Sequence, residues 1–305
     1  MLAEGSSHVR EYGGEGPSVL LVPSLVNSSD ILDLMPDHSF ARFLVGQGFR
    51  VRMLEWGQPG ELESRFSLSD LVAGRLNRLI GAVAAHDGQP PLVIGYCMGG
   101  VLALGAALTL PPGAVSGLVL LATPWDFHAG EGEKAEAQRI AALLGPICAA
   151  LPDGACLPGD VIQSLFWMLD PMTSLHKFRR FAAMPMEDEA ATRFVLLEDW
   201  LNEPRGLPGP IARACMTGWY GRNDLANGQW MLGGLRINPE RLSCPALCVI
   251  PQQDRIVPAV SARALADQLP QADVMAPELG HIGLIASRSA PDRLWHDLSS
   301  WMKGV

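Results

Sequence analysis

Short apolar runs rich in β-formers alternate along the chain with stretches whose apolar positions recur at helical spacing. That alternation predicts an α/β fold, a mostly parallel central sheet flanked by helices. Strands are predicted at Ser18–Val22, Arg50–Leu54, Leu92–Ile94, Gly117–Leu121, Ala246–Ile250 and Asp273–Met275. Helices are predicted over Ser39–Val45, Leu71–Ala85, Met98–Leu108, Val260–Leu269 and Pro291–Met302. Ser67-Leu-Ser-Asp70 resembles a helix-start cap ahead of the second of these. From about Asp126 to about Pro239 the rhythm breaks down. That stretch holds Trp167, Trp200, Trp219 and Trp230, with a turn-rich spacer, Asn202-Glu-Pro-Arg-Gly-Leu-Pro-Gly-Pro210. The rhythm resumes at Pro245-Ala-Leu-Cys-Val-Ile-Pro251. An insertion that leaves a sheet and returns to it reads as a cap over the strands' C-terminal edge. The expected division is a core of residues 1–125 and 240–305 with a cap or lid of residues 126–239, able to shield a pocket from water.

Composition narrows the class. Of 305 residues, 48% are hydrophobic and 18% charged, enough for a sizeable core and against global disorder. The net charge of −9, with no block of Lys or Arg, argues against nucleic acid as a partner. The first residues, Met1-Leu-Ala-Glu-Gly-Ser-Ser-His8, lack the basic and apolar regions of a signal peptide. Uninterrupted apolar runs fall well short of the ~18 residues of a membrane span, so no integral membrane segment is expected. Six scattered cysteines without an export signal suit free thiols in a reducing cytoplasm. Cys244 and Cys248 lie on a predicted buried strand with no histidine or second cysteine pair nearby, so no metal site is expected.

Chemistry concentrates at Gly95-Tyr96-Cys97-Met98-Gly99-Gly100, between a predicted strand and a predicted helix. A strand, a tight turn and a helix with cysteine at the apex give a nucleophile elbow, with cysteine where serine is commoner. A cysteine nucleophile needs a base, and the base an orienting partner. Asp254 falls on the loop leaving one late strand, in Pro251-Gln-Gln-Asp-Arg-Ile-Val-Pro258, and His281 on the loop leaving the next, in Ala276-Pro-Glu-Leu-Gly-His-Ile-Gly283. Nucleophile, acid and histidine thus occur in the chain order of α/β-hydrolases, at the edge where Cys97 sits. The other six histidines precede the elbow, end a helix, lie in the insertion or sit on the last helix. Oxyanion donors are expected from the N–H of Met98 and from Leu25 or Val26 on the loop Val22–Ser29 after the first core strand.

These motifs resemble the polyhydroxyalkanoate (PHA) synthases, cysteine-triad acyltransferases on the α/β-hydrolase fold. The resemblance runs through Pro23-Ser-Leu-Val-Asn27, Ile31-Leu-Asp-Leu-Met-Pro36, Leu54-Glu-Trp-Gly-Gln-Pro59 and Ser67-Leu-Ser-Asp70. It continues with the elbow, Leu120-Leu-Ala-Thr-Pro-Trp-Asp-Phe127, Asp254-Arg-Ile-Val-Pro258 and Gly280-His-Ile-Gly283. The Trp-Gly-x-Pro and His-Ile-Gly forms look most like the short synthases that work with a second subunit. The resemblance implies transfer of 3-hydroxyacyl groups from coenzyme A thioesters to a growing polyester. Cys97 would carry the acyl chain, and His281 with Asp254 would activate first the thiol and then the incoming 3-hydroxyl. Coenzyme A enters as a thioester substrate, and no cofactor is implied. Asn27 and Trp125, inside two of the motifs, are candidate substrate-binding residues. A second synthase subunit or a homodimer is the implied protein partner, and the cytoplasm, at polyester granules, the implied location. The chain departs from the family in lacking its N-terminal extension. Arg255 also stands where His is frequent, Ala259 where Trp is usual, and Glu131–Pro158 is rich in Ala and Gly.

Two other classes fit parts of the pattern. The elbow form Gly-x-Cys-x-Gly-Gly also occurs in dienelactone hydrolases, so a thioesterase or an ester or lactone hydrolase with the same triad is the alternative enzyme. A non-catalytic protein docking on granules or on a synthase is the alternative without chemistry, with Phe166, Trp167 and Met168 as a docking face. Packing inside the cap explains that cluster better. Lys177, Arg179 and Arg180 could meet phosphates, although a solvated face accounts for them more simply.

Overall fold

The computed structural model describes residues 2–169, 177–179, 181–185 and 188–305, with side chains described outside 165–169. Phe166, Trp167 and Met168, the suggested docking face, therefore have side chains outside the described residues, as does Arg180.

Eight strands form the main sheet: β1 (Leu2–Glu4), β2 (Ser7–Gly13), β3 (Ser18–Val22), β4 (Arg50–Glu55), β5 (Leu92–Tyr96), β6 (Gly117–Leu121), β11 (Ala246–Val249) and β12 (Ala272–Met275). Two short pairs lie between β6 and β11: β7 (Cys156–Leu157) with β8 (Leu207–Pro208), and β9 (Met231–Leu232) with β10 (Leu235–Arg236). The main sheet has the order β1-β2-β4-β3-β5-β6-β11-β12. From β4 to β12 every neighbour is parallel, with Leu21 opposite both Met53 and Ile94, and Gly95 opposite Leu120. Each of the six sequence-predicted strands is present, and β3, β5 and β6 are buried at every residue. Continuous burial is why these strands read as unbroken apolar runs: helices cover both faces of a parallel sheet.

Alternation along each strand then sorts its side chains into two cores. Leu20 and Val22 of β3 join Leu54, Val93 and Val101 on one face. Val19 and Leu21 join Phe40, Met53, Ile94 and Trp295 on the other. The helices that cover these faces include α1 (Phe40–Gly46), α2 (Asn77–Asp87) and α3 (Met98–Thr109). Ser39 caps α1 by accepting the Arg42 N–H at 3.0 Å. The Ser67–Asp70 start signal is a reciprocal box: the Ser67 N–H donates to Asp70 Oδ2 (2.9 Å) and the Asp70 N–H to Ser67 Oγ (3.2 Å). A π-helical turn, Asp70–Leu76, comes next and leads into α2.

The N-terminal strands β1 and β2 were not legible as strands. Ser7-His-Val-Arg-Glu-Tyr-Gly13 has Val9 as its single well-buried apolar side chain, so it gives no periodic signal. It is recruited by antiparallel pairing with β4, Val9 opposite Leu54.

Between β6 and β11 run α4 (Glu131–Ala150), α5 (Gly159–Leu169), a helix at Glu189–Leu201, and a short α-helix continuing into a π-helix at Ala214–Arg222. Among the described residues no helix is long and apolar enough to cross a membrane.

Candidate active site

β5 ends at Tyr96 and α3 begins at Met98, leaving Cys97 alone on the turn with φ 56° and ψ −128°. A non-glycine residue at positive φ is strained and persists only where its surroundings over-determine it. Here the Cys97 N–H is held by the Leu121 carbonyl (2.8 Å), and its carbonyl accepts from Gly100 (2.9 Å). Two glycines make the turn sterically feasible. A Cβ on Gly95 would stand 2.4 Å from Gly100 Cα, and one on Gly99 would stand 2.2 Å from the Val22 carbonyl oxygen. Gly99 thereby lets the start of α3 press against the end of β3, where the loop with Leu25 and Val26 begins.

Asp254 and His281 leave adjacent strands, and their loops stay paired beyond the sheet. The Ile250 N–H bonds Met275 O (2.8 Å), Gln252 bonds Pro277 O (3.0 Å) and Gln253 bonds Leu279 O (3.0 Å). This ladder carries Asp254 to His281, whose Nδ1 lies 2.7 Å from Asp254 Oδ2. The other carboxylate oxygen accepts the N–H groups of Ile256 and Val257, both at 2.8 Å. The Asp254 side chain is wholly buried and His281 is 8% exposed. Tyr96 supports the histidine from below, its hydroxyl donating to the His281 carbonyl (3.2 Å) and its ring 5.3 Å from the imidazole. Burial alone would lower the pKa of His281. The charge of Cys97 and the hydrogen bonds to Asp254 and Cys97 outweigh that and raise it to about 10. Nδ1 is committed to the carboxylate, so Nε2 is the ring nitrogen left for the cysteine sulfur.

Cys97 opens into a cavity of about 450 Å³. Its floor is Cys97, Met98 and Val26, and its roof comes from α4 (Ala137, Ile140) and from the π-helix. The wider π turn places Cys215, Met216, Trp219 and Tyr220 together on that roof. Glu133, Glu136 and Arg139 of α4 also line it. A second hollow of about 80 Å³ shares Ser24, Val26, Cys97 and Ile256 with the first, and is bounded by Asn27, Trp200 and His281.

The structure therefore brings Cys97, Asp254, His281, Met98 and Val26 to one place. Leu25 does not line the cavity; it is buried in the core near Trp56 and Ile211. Asn27 reaches the smaller hollow but donates its amide to the Trp200 carbonyl (3.1 Å). Trp125 is corrected from a substrate contact to a core residue. It is fully buried, bonds Gln268 Oε1 through its indole N–H (3.2 Å) and packs edge-on against Trp230. Its position just past β6 turns it towards the packing between the insertion and the core. Lys177 is paired with Glu198 at 2.7 Å. Sequence reasoning missed Tyr96, Tyr220 and Arg205. Tyr96 could have been found from its place one residue before Cys97; the other two carry no motif.

A cysteine elbow at the C-terminal edge of a parallel sheet, with acid and histidine on the exits of the last two strands, defines a class. Residues 19–296 match the Alpha/beta hydrolase family, and the chain belongs to it. Within that class it is similar to the poly(3-hydroxyalkanoate) polymerase subunit PhaC of several organisms. It is 29% identical over 288 residues to that of Haloferax mediterranei, covering 93% of this chain and 58% of the relative. With the Allochromatium vinosum subunit it shares 26% over 289 residues, covering 93% and 80%. With that of Synechocystis it shares 28% over 301 residues, covering 92% and 77%. The chain thus spans only part of each relative. Solved structures of similar fold include a monoacylglycerol lipase of Paleococcus ferrophilus (TM-score 0.57, 17% identity, 98% of both chains). An esterase of Exiguobacterium antarcticum is another (TM-score 0.59, 14% identity, 97% and 95%).

Proposed function

We propose that this chain is a PHA synthase-like acyltransferase that moves 3-hydroxyacyl groups from coenzyme A thioesters through an acyl-enzyme on Cys97. The observation that carries the reading is the Cys97 elbow beside a His281–Asp254 pair at 2.7 Å, beneath a largely apolar cavity. His281 takes the thiol proton, and the Cys97 thiolate attacks the thioester carbonyl. The tetrahedral oxyanion is held by the Met98 N–H, an orphan donor of the first helical turn, and by an N–H of the loop at Val26, which lines the cavity. Collapse breaks the C–S bond to coenzyme A, and the imidazolium returns its proton to the departing thiolate. In the second half, His281 accepts the proton of a 3-hydroxyl as its oxygen attacks the Cys97 thioester, which frees the cysteine and lengthens the chain by one ester. Asp254 keeps the imidazole in one tautomer and stabilises its charged form. The insertion of residues 126–239 acts as a cap that keeps water from the acyl-enzyme, since water in place of the hydroxyl would give hydrolysis. A second synthase subunit or a second copy, and the surface of a polyester granule, are the partners this role calls for.

Incubation with 3-hydroxybutyryl-coenzyme A tests the reading. Free coenzyme A and ester-linked oligomers are expected, with an acyl adduct on Cys97 after brief exposure and none in Cys97→Ala. Release of monomeric acid alone would overturn polymer synthesis in favour of a thioesterase, and turnover by Cys97→Ala would overturn the triad.

A further inference from the structure

The loop that carries Val26 belongs to no strand or helix, yet half of the proposed oxyanion hole depends on it. What fixes it comes largely from the far side of the insertion. The Arg205 N–H donates to the Val26 carbonyl at 2.7 Å. Trp200 contributes two more bonds: its carbonyl accepts the Asn27 amide (3.1 Å), and its indole N–H donates to the Ser28 carbonyl (2.9 Å). The Arg205 guanidinium then reaches past the loop to the Glu55 carboxylate at the end of β4. Glu55 is buried and acts as a hub. Its Oε2 accepts the Ser29 hydroxyl (2.8 Å) and N–H (3.2 Å), and its Oε1 accepts the Gly57 N–H (3.0 Å) as well as Arg205. Arg10 adds a longer contact of 3.5 Å from outside. Burial would raise the pKa of Glu55, but the Gly57 N–H, the Arg205 charge and the Ser29 bonds hold it below the ordinary carboxylate value. The carboxylate stays charged, with Arg205 of the insertion its closer cation and Arg10 of β2 the more distant one.

We propose that Arg205 is a positioning residue for acyl transfer. By bonding Val26 through its backbone and Glu55 through its side chain, it latches the insertion to the oxyanion loop and sets that loop's distance from Cys97. The latch rests on the acyl-transfer reading for its catalytic consequence, and on the hydrogen bonds alone for its structural one. It makes a complete oxyanion hole conditional on a seated insertion.

Three measurements on Arg205→Ala, with Arg205→Lys beside it, test the latch. The alanine variant keeps the backbone bond to Val26, so only the guanidinium is removed. Hydrogen–deuterium exchange of the segment 23–30 is expected to rise at least fivefold in Arg205→Ala, and to be partly restored in Arg205→Lys, whose point charge lacks the planar fork. With 3-hydroxybutyryl-coenzyme A, kcat is expected to fall about 10²-fold with KM within twofold, the effect of a misplacement of about 1 Å. Alkylation of Cys97 by iodoacetamide, which forms no oxyanion, is expected to stay within twofold of the unsubstituted chain. Unchanged exchange, or unchanged kcat in an active chain, overturns the proposal. So does alkylation that falls in step with acyl transfer, because the nucleophile itself is then disturbed. If the unsubstituted chain turns over no acyl thioester, the functional reading fails, and exchange alone decides for or against the latch.

Discussion

Replacing Asp254 with Asn changes one carboxylate oxygen to an amide nitrogen, and two hydrogen-bonding demands then compete for the side chain. Asp254 Oδ1 accepts two backbone N–H groups at 2.8 Å while Oδ2 takes the His281 ring N–H at 2.7 Å. An asparagine that keeps its oxygen on the two backbone donors must point its NH₂ at Nδ1. His281 then becomes an acceptor there and carries its proton on Nε2, where it cannot receive one from Cys97. Flipping the amide restores the productive tautomer but leaves the N–H groups of Ile256 and Val257 without their acceptor. Each buried donor stranded in this way costs about 1–2 kcal/mol, so the productive form lies about 2–4 kcal/mol higher. At 1.36 kcal/mol per factor of ten, acylation should slow by roughly 30- to 1,000-fold. The assay is single-turnover release of coenzyme A, with thermal melting to show that the fold is intact. Histidine ring ¹⁵N shifts give an independent check. The pKa of His281, raised to about 10, should fall in the variant, because the carboxylate is one of the groups that raise it. Burial remains and pulls the same way. Acylation within fivefold of the unsubstituted chain, in a folded variant, would refute the triad reasoning.

Gly99→Ala places a Cβ 2.2 Å from the Val22 carbonyl oxygen and 2.6 Å from that of Pro23, both backbone atoms that cannot swing aside. A loss of about 1–3 kcal/mol is expected, with slower acyl transfer as α3 retreats from the oxyanion loop; unchanged melting and turnover would show that the approach is not needed. Asp87→Asn removes the buried partner of Arg52, bonded at 2.6 Å. Burial raises the Asp87 pKa, but hydrogen bonds from Arg52 and Ser18 more than reverse this and take it from 3.8 down to about 2. A depressed carboxylate stabilises above its unfolded value and loses that contribution as pH falls through about 2, so the variant should cost about 2 kcal/mol at pH 7. Urea melts should show the gap closing as pH drops from 5 towards 2, and a gap independent of pH would contradict the assignment. Tyr96→Phe deletes the 3.2 Å bond to the His281 carbonyl while keeping the ring, and about 1 kcal/mol of stability should go with it. A loss of more than 3 kcal/mol in urea melts would mean that the hydroxyl does more than this bond.

The strands and the proposed triad share one reason for being legible. β3, β5 and β6 are buried on both faces, so their apolar runs are continuous and bounded by turn residues, a local signal. Cys97 and Asp254 follow such buried runs, β5 and β11, while His281 follows the half-exposed β12, so locating the strands placed all three residues on strand exits. Val9 in β2 is one apolar side chain in a polar heptapeptide, and its strand exists because β4 offers it an edge. Trp125 misled because a motif preserves a residue type without saying which way it faces. The turn after β6 points it into packing with Trp230 and Gln268.

By itself, the sequence determined the six parallel strands of the main sheet, the elbow with its glycines and the order of Cys97, Asp254 and His281 along the chain. These are properties of single segments, written in spacing and residue type. Only the tertiary structure decided what surrounds Cys97 and its loops: the π-helical roof with Trp219 and Tyr220, the burial of Trp125, and the grip of Trp200 and Arg205 on Val26, Asn27, Ser28 and Glu55. The contacts of Trp200 and Arg205 join residues some 150 to 180 positions apart. Their energy comes from desolvated hydrogen bonds that exist once the chain has closed, and no local pattern records them.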